Sequence, residues 1–471
     1  MIDTIDCNNY IVTMIIWTPT LDKKQPLYRS LADAIADSVR KGQHKAGDRL
    51  PTHRELADAL NVTIGTVTRG YAEAERRGLT YAVVGRGTFI RGETSDDPWP
   101  DETKASMGSV DFTLSLPTTL PNEGALFAET LQKIAANPRI DRLLQYTAET
   151  GAPHQKEIAV SWLNRLGLGR KATDVLVTAG SQQGLNIVLP SLLAPGQVMV
   201  CGELTYPSIK LQARNYGVRL RGVALDGEGI CPHALERACR QEPPPAALYV
   251  LPTLQNPTSA LMSQERRERI AELARQYDLL IIEDDVHAFL LEELQKPIAV
   301  YAPERTVYLA SVAKCLAAGL RTGFILAPNH HLARLRSGIH ASMWMAPPLM
   351  VEVTTRWLAD GTANSLIAEK RRVVAQRQET VASVLAGQRL RAHPQGYQVW
   401  LELPEPWTTD AFLTEALEQG VKMIGAGAFA VSRANIPHAV RLSIGLPKQA
   451  EFVQGLRTVA QILSQDLPAA Y

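Results

Sequence analysis

The sequence is short of the features that mark extracellular, metal-binding or membrane proteins. Its five cysteines, Cys7, Cys201, Cys231, Cys239 and Cys315, are scattered and odd in number. None belongs to a CxxC pair, so neither a disulfide framework nor a metal site is expected, and a reducing cytoplasm is the expected compartment. No apolar run approaches the roughly 20 residues that a membrane-spanning helix needs. The first residues include Asp3 and Asp6 but no basic stretch, so a signal peptide is not expected. Residues 1–20 show little helical or strand period, which leaves Met14 open beside Met1 as the start. An excess of one charge is missing too: 49 Lys and Arg stand against 48 Asp and Glu. That excludes a protein basic all over, but not a small nucleic-acid-binding module diluted by a large neutral domain.

What is present divides into zones. A chain of 471 residues exceeds one compact core. Residues 1–25 read as an extension, and 26–91 are dense in helical pattern and arginine. Residues 92–110 are acidic and polar with two prolines, the composition of a linker. From 111 to 471, strand-like apolar runs alternate with amphipathic stretches, as a mainly parallel α/β sheet requires. The runs at 175–180, 198–202, 246–252, 279–284, 307–312 and 322–328 read as buried strands, and ligands of such sheets bind beyond the strands' carboxyl ends.

In the first zone, Leu27, Leu31, Ile35 and Val39 recur every four residues, one apolar helical stripe with Gly42 as its stop. Thr52 followed by Glu55 is a capping box that opens a helix through Leu60. Asn61 suits a tight turn, and Thr63 or its neighbour starts a second helix ending at Gly78. Two strands around Gly85, Arg86 and Gly87 complete a winged helix-turn-helix. The start of the second helix exposes Thr63, Thr66, Thr68 and Arg69 to a major groove, with Arg49 and Arg54 just before it and Arg86 and Gly87 at the wing. Double-stranded DNA is therefore the expected partner; the blander alternative is a helical docking domain with solvated arginines. Leu50, Pro51, Arg54, Leu56 and Ala57 reproduce the Leu-Pro-x-x-Arg-x-Leu-Ala hallmark, and residues 27–90 resemble the GntR family of winged helix-turn-helix regulators. Ile64 stands where that family often has arginine, so base preference does not carry over.

In the large domain, residues 311–324 place Lys314 after a strand end, with Ser311 three before it and Arg321 seven after. That spacing suits a phosphorylated aldehyde cofactor: the lysine amine condenses with the aldehyde, and Ser311 and Arg321 bind phosphate. Taken alone, such a lysine is more often a surface charge. Its companions narrow the choice. Asp284 ends a buried strand, where it can pair with a pyridinium nitrogen, although strand-end acids also cap helices. Asn256, in an Asn-Pro turn, can donate to a ring oxygen. Gly180, Ser181 and Gln182 open a helix whose free N–H groups suit phosphate. Tyr206 can stack on a ring, or pack as a half-buried core aromatic. Arg441, on a late strand, suits a substrate carboxylate or, more plainly, a surface ion pair.

In order and rough spacing these elements resemble the fold-type-I pyridoxal-phosphate (PLP) enzymes of the aspartate aminotransferase-like family, from about residue 111 to the end. The resemblance implies a large α/β/α domain with a small C-terminal α+β domain. It makes Lys314 the internal-aldimine lysine, Asp284 the partner of the pyridine nitrogen and Asn256 a ligand of the ring hydroxyl. Ser181, Gln182, Ser311 and Arg321 would hold the phosphate, Arg441 the α-carboxylate, and Tyr146 the phosphate of a neighbouring subunit. His287 replaces a tyrosine common in the family; its variable charge near neutral pH is expected to alter the cofactor's spectrum. Ser259 replaces a glycine that often follows Asn-Pro-Thr.

The whole layout resembles the MocR regulators. It implies a PLP-dependent homodimer that binds DNA and senses an amino compound or PLP itself. Two alternatives stay open: a working aminotransferase with an accessory DNA-binding tail, and a regulator whose large domain only dimerises.

Overall fold

In a computed structural model the chain forms two compact units, residues 1–98 and 99–471. The structure describes residues 17–22, 25–44, 48–77, 79–83, 87–90, 109–146, 148–432 and 436–465. The wing turn with Gly85 and Arg86, most of the 92–110 stretch, Met14 and Cys7 lie outside them.

The first unit has helices Leu27–Arg40, His53–Leu60 and Ile64–Arg76, then an antiparallel hairpin of Thr80–Val83 and Gly87–Ile90. Local chemistry fixes the turn between the second and third helices. Thr52 Oγ1 accepts from the Glu55 amide at 3.3 Å, and Glu55 returns the bond by accepting from the Thr52 amide at 2.8 Å. Asn61 takes the left-handed conformation that asparagine tolerates, with φ 51°. Thr63 caps the next helix, which ends at Arg76 rather than at Gly78. Arg77 follows as its C-cap residue, tied to Asp33 at 2.6 Å and to Glu73 at 2.8 Å. Leu31, Ile35, Leu50, Leu56, Val67 and Tyr71 form the core, each contributing about 1.5–3 kcal/mol by burial. Trp17 and Leu21, in the stretch read as an extension, pack against it.

The second unit is built on a seven-stranded sheet. Its order is Val175–Thr178, Gly323–Leu326, Thr306–Ser311, Leu280–Asp284, Pro245–Val250, Val198–Gly202 and Arg219–Val223. The paired strands are parallel except at Gly323–Leu326, which runs against both neighbours. Six of these strands are the apolar runs legible in the sequence. The seventh, Arg219–Val223, is a half-exposed edge whose polar residues hide it from a search for buried runs. A smaller antiparallel sheet joins Arg389–Ala392, Gln398–Glu402, Ala439–Ser443 and Ile424–Gly425. Val110–Asp111 pairs with Val421–Lys422, so the start of this unit is stitched to its C-terminal part.

Candidate functional site

The carboxyl ends of the parallel strands open on a cavity of about 320 Å³. Ser181, Gln182, Tyr206, Asn256, Asp284, His287, Ser311, Lys314, Arg321 and Arg441 all line it.

Strand alternation selects one of three consecutive acids. Glu283 turns away and accepts from the amides of Ile298 and Ala299 at 2.7 and 2.8 Å. Asp285 is bonded by the Tyr308 hydroxyl at 3.2 Å. Asp284 faces the cavity; the Tyr249 hydroxyl donates to Oδ2 at 2.8 Å, while Oδ1 has no hydrogen-bond partner among the described residues. Burial raises its pKa to about 6, against the pull of the Tyr249 bond. Lys314 lies in the turn after Thr306–Ser311, its amine donating to the Ser115 carbonyl. Desolvation, with the Arg441 cation nearby, lowers that amine to about 8. Arg441 donates to Asn256 Oδ1 at 3.1 Å and to the Thr113 carbonyl, and its guanidinium lies over the Phe429 ring at 5.0 Å. Burial brings its pKa down to about 10.

At the other end of the cavity, Gly180 (φ +86°) leads into the helix Ser181–Leu192, whose first-turn amides have no partner within the helix. A Cβ on Gly180 would stand 3.0 Å from the Arg321 guanidinium, and one on Gly323 would fall 2.6 Å from the Gly180 carbonyl carbon. Two glycines therefore let a cation and a helix N-terminus converge on one anion-sized place. Arg321 also donates to the Ala179 carbonyl at 3.0 Å. The Ser311 hydroxyl, expected to bind phosphate, donates here to the Thr322 carbonyl at 3.1 Å.

Three expectations are corrected or sharpened. His287 is not a group of variable charge near neutral pH: burial, with the Lys314 and Arg441 cations nearby, lowers its pKa to about 3, so the ring is neutral. Tyr146 is 79 % exposed and absent from this chain's cavity; it packs against Trp344, ring centroids 5.2 Å apart. Ser259 has φ +59°, the left-handed region where glycine is the usual residue, and its hydroxyl donates to the Gln398 carbonyl at 2.9 Å.

Sequence reasoning missed Tyr249, Gln398 and the Leu114–Ser115–Leu116 segment. The first two were detectable as polar residues inside apolar strands. The third carried no signal, because backbone carbonyls are the groups it presents.

The donor set fits PLP. Asp284 Oδ1 awaits a ring N–H, the Lys314 amine an aldehyde, and the glycine cradle with Arg321 a phosphate.

Residues 123–452 match the family described as aminotransferase class I and II, which is 70% of the chain by those bounds. The chain belongs to this family. Residues 27–90 match the gntR family of bacterial regulatory proteins, so this aminotransferase-family member carries a regulator's winged helix. Among similar proteins, the HTH-type transcriptional regulator YdeF of Bacillus subtilis is 28% identical over 95% of this chain and 96% of its own length. The vitamin B6 salvage pathway transcriptional repressor PtsJ of Salmonella typhimurium is 26% identical, covering 93% and 98%. Among solved structures, the kynurenine aminotransferase of Pyrococcus horikoshii superposes with a TM-score of 0.71 at 24% identity, covering 77% of this chain and 92% of that one. LysN of Thermus thermophilus, solved with N-(5'-phosphopyridoxyl)-L-leucine, gives 0.68 at 25% identity, covering 77% and 93%.

On the winged helix of this family member, Arg49, Arg54 and Arg69 are exposed beside the helix His53–Leu60 and the helix Ile64–Arg76. Thr63 Oγ1 caps its helix, Thr66 Oγ1 lies 2.9 Å from it, and Thr68 donates to the Ile64 carbonyl at 3.0 Å. All three hydroxyls thus have partners within the first unit. Gly87 takes φ +119°, a backbone conformation that side-chain-bearing residues rarely adopt, and the Arg49 side chain lies beside it. Among the described residues no helix is long and apolar enough to cross a membrane.

Proposed function

We propose that this protein is a PLP-dependent, DNA-binding transcription regulator of the cytoplasm whose large unit senses an amino compound. Bound PLP supplies an aldehyde that fixes an amine covalently and a pyridine ring that withdraws electrons from it. Lys314 provides the amine, Asp284 holds a proton on the ring nitrogen, and Asn256 and His287 flank the ring oxygen, His287 as a neutral imidazole. Ser181, Gln182 and Arg321 bind the phosphate, Tyr206 packs beside the ring, and Arg441 takes the α-carboxylate of the effector.

One observation carries the regulatory reading: the two cations assigned to cofactor and effector both hold the strap 113–116, Lys314 through the Ser115 carbonyl and Arg441 through the Thr113 carbonyl. A ligand that engages either cation competes for those bonds. The strap continues at its N-terminal side into the stretch that leads to the winged helix. Differential affinity of the ligand for the held and released strap is what an effector response requires.

Gly445 tests this. A Cβ there would lie 1.8 Å from the Leu116 carbonyl oxygen, so Gly445→Ala must push the strap aside. The expected result is a cost on the order of 3 kcal/mol in stability and DNA binding that no longer responds to amino compounds. Wild-type melting and an unaltered effector response in gel retardation would contradict it.

A homodimer is supported by apolar side chains left in water on the large unit: Leu144 is 89 % exposed, Tyr146 79 % and Trp344 42 %. A partner subunit covering them would also bring Tyr146 towards the partner's phosphate. Sedimentation at micromolar concentration should give twice the chain mass, and Tyr146→Ala should weaken PLP retention about tenfold, the worth of one charge-assisted hydrogen bond. A monomer that retains PLP as tightly as wild type would refute the shared site.

The complete set of Lys314, Asp284 and Arg441 favours a second reading, a working aminotransferase with a DNA-binding appendage. Steady multiple turnover of an amino acid with an oxo acid at 1 per second or faster, about the lower end for enzymes, would support it.

A further inference from the structure

We infer that Gln398 is the effector-discriminating residue of the cavity, and that it selects amino acids carrying a hydrogen-bond donor on the side chain. The inference rests on the effector reading of the site. Gln398 is 3 % exposed and lines the cavity. It opens the strand Gln398–Glu402, opposite Ser443 and diagonal to Arg441 on the neighbouring strand, about 7–8 Å away in such a pairing. Side chains alternate along a strand, so Gln398 shares a face with the Arg441 guanidinium.

Its position is fixed from two sides. The Ser259 hydroxyl donates to its backbone carbonyl at 2.9 Å, and its side-chain Nε2 donates to Ser115 Oγ at 3.3 Å. With Nε2 committed to the strap, Oε1 is left as a buried acceptor without a partner among the described residues. Buried polar atoms are almost always hydrogen-bonded, and leaving one unpaired costs about 1–3 kcal/mol. None of the groups assigned to PLP accounts for this oxygen, as those groups are met by Lys314, Asp284, Asn256 and the phosphate cradle. A ligand whose carboxylate lies on Arg441 carries its side chain past the diagonal neighbour. A hydroxyl or ammonium there satisfies Oε1; a methyl leaves it unpaired, and a carboxylate sets acceptor against acceptor. Leu114, Leu116 and Val286 add apolar side chains to the lining of the same cavity.

Amino acids that differ only in the terminal atom provide the test. L-homoserine, L-2,4-diaminobutyrate and L-norvaline have equal side-chain length and end in OH, NH3+ and CH3; L-aspartate supplies an acceptor only. Each is titrated into the full-length, PLP-loaded protein, and the dissociation constant is read from the change in the visible band. Homoserine and diaminobutyrate should bind at least tenfold more tightly than norvaline or aspartate. In Gln398→Met the homoserine-to-norvaline ratio should collapse to within twofold of one, and in Gln398→Glu, which keeps an acceptor, the preference for diaminobutyrate should persist. The ratio is insensitive to a general loss of affinity. Equal binding of homoserine and norvaline by the wild-type protein overturns the inference while the effector reading stands. So does an unchanged ratio in Gln398→Met, or a preference for aspartate, which would mean that the amide presents Nε2. If none of the four perturbs the spectrum, the effector reading falls and this inference with it.

Discussion

Replacing Lys314 by alanine is expected to abolish the lysine-linked visible absorbance of the PLP-loaded protein, leaving only the spectrum of free or loosely held cofactor. Among the described residues Lys314 is the one lysine lining the cavity that also contains the unpaired Asp284 oxygen and the glycine cradle, so its amine has no substitute there. The fold should persist, since the hydrogen bond that the amine makes is to the Ser115 carbonyl and removing it sheds a desolvated cation. An unchanged visible band in Lys314→Ala would overturn the assignment. The same amine gives a pH dependence. Its pKa is lowered to about 8 from the usual lysine value of about 10.4, so the neutral, reactive amine appears around pH 8. Attachment of PLP to cofactor-free protein should rise about tenfold per pH unit up to 8 and then level off. At pH 7 it should run roughly two orders of magnitude faster than for an unperturbed lysine. A midpoint near 10 would show that the amine is solvated. The linked stability has the matching sign: the fold disfavours the charged lysine, so this group's contribution is present above about pH 10.4 and is lost as pH falls through 8.

The second large effect belongs to the winged helix. Arg54→Ala with Arg69→Ala is expected to weaken binding to the protein's own promoter region by about a hundredfold at 0.1 M salt. The slope of log affinity against log salt should fall by about two, one for each phosphate contact removed. Both side chains are exposed and neither has an ion-pair partner at its guanidinium among the described residues, so the loss should come from the DNA side and not from unfolding. PLP content should stay at the wild-type level because the two residues lie in the other compact unit. Retardation equal to wild type would remove these arginines from the interface.

Much of the fold could be read from residue patterns because its determinants are local. The capping box at Thr52 and Glu55, the turn at Asn61 and the cap at Thr63 act within four residues, and the structure keeps each of them. The buried strands were legible because a parallel sheet covered on both faces selects continuous Val, Ile and Leu runs. The half-exposed strand Arg219–Val223 broke that rule and escaped notice. At the site, residues at strand ends and helix starts were legible, since those positions face the ligand in any such sheet. Tyr249 and Gln398 showed only as single polar residues in apolar strands, a pattern that does not tell which face such a residue takes.

By itself the sequence determined the two kinds of unit, their order, and most of the side chains that meet in the cavity, since helix caps, apolar periods and strand ends are written in neighbouring residues. The tertiary structure alone decided which charges exist there and what they hold. Arg441 meets the Thr113 carbonyl across 328 positions, and Lys314 meets Ser115 across 199. The neutral His287, the lowered Lys314 and the raised Asp284 follow chiefly from desolvation, which depends on everything packed around a group.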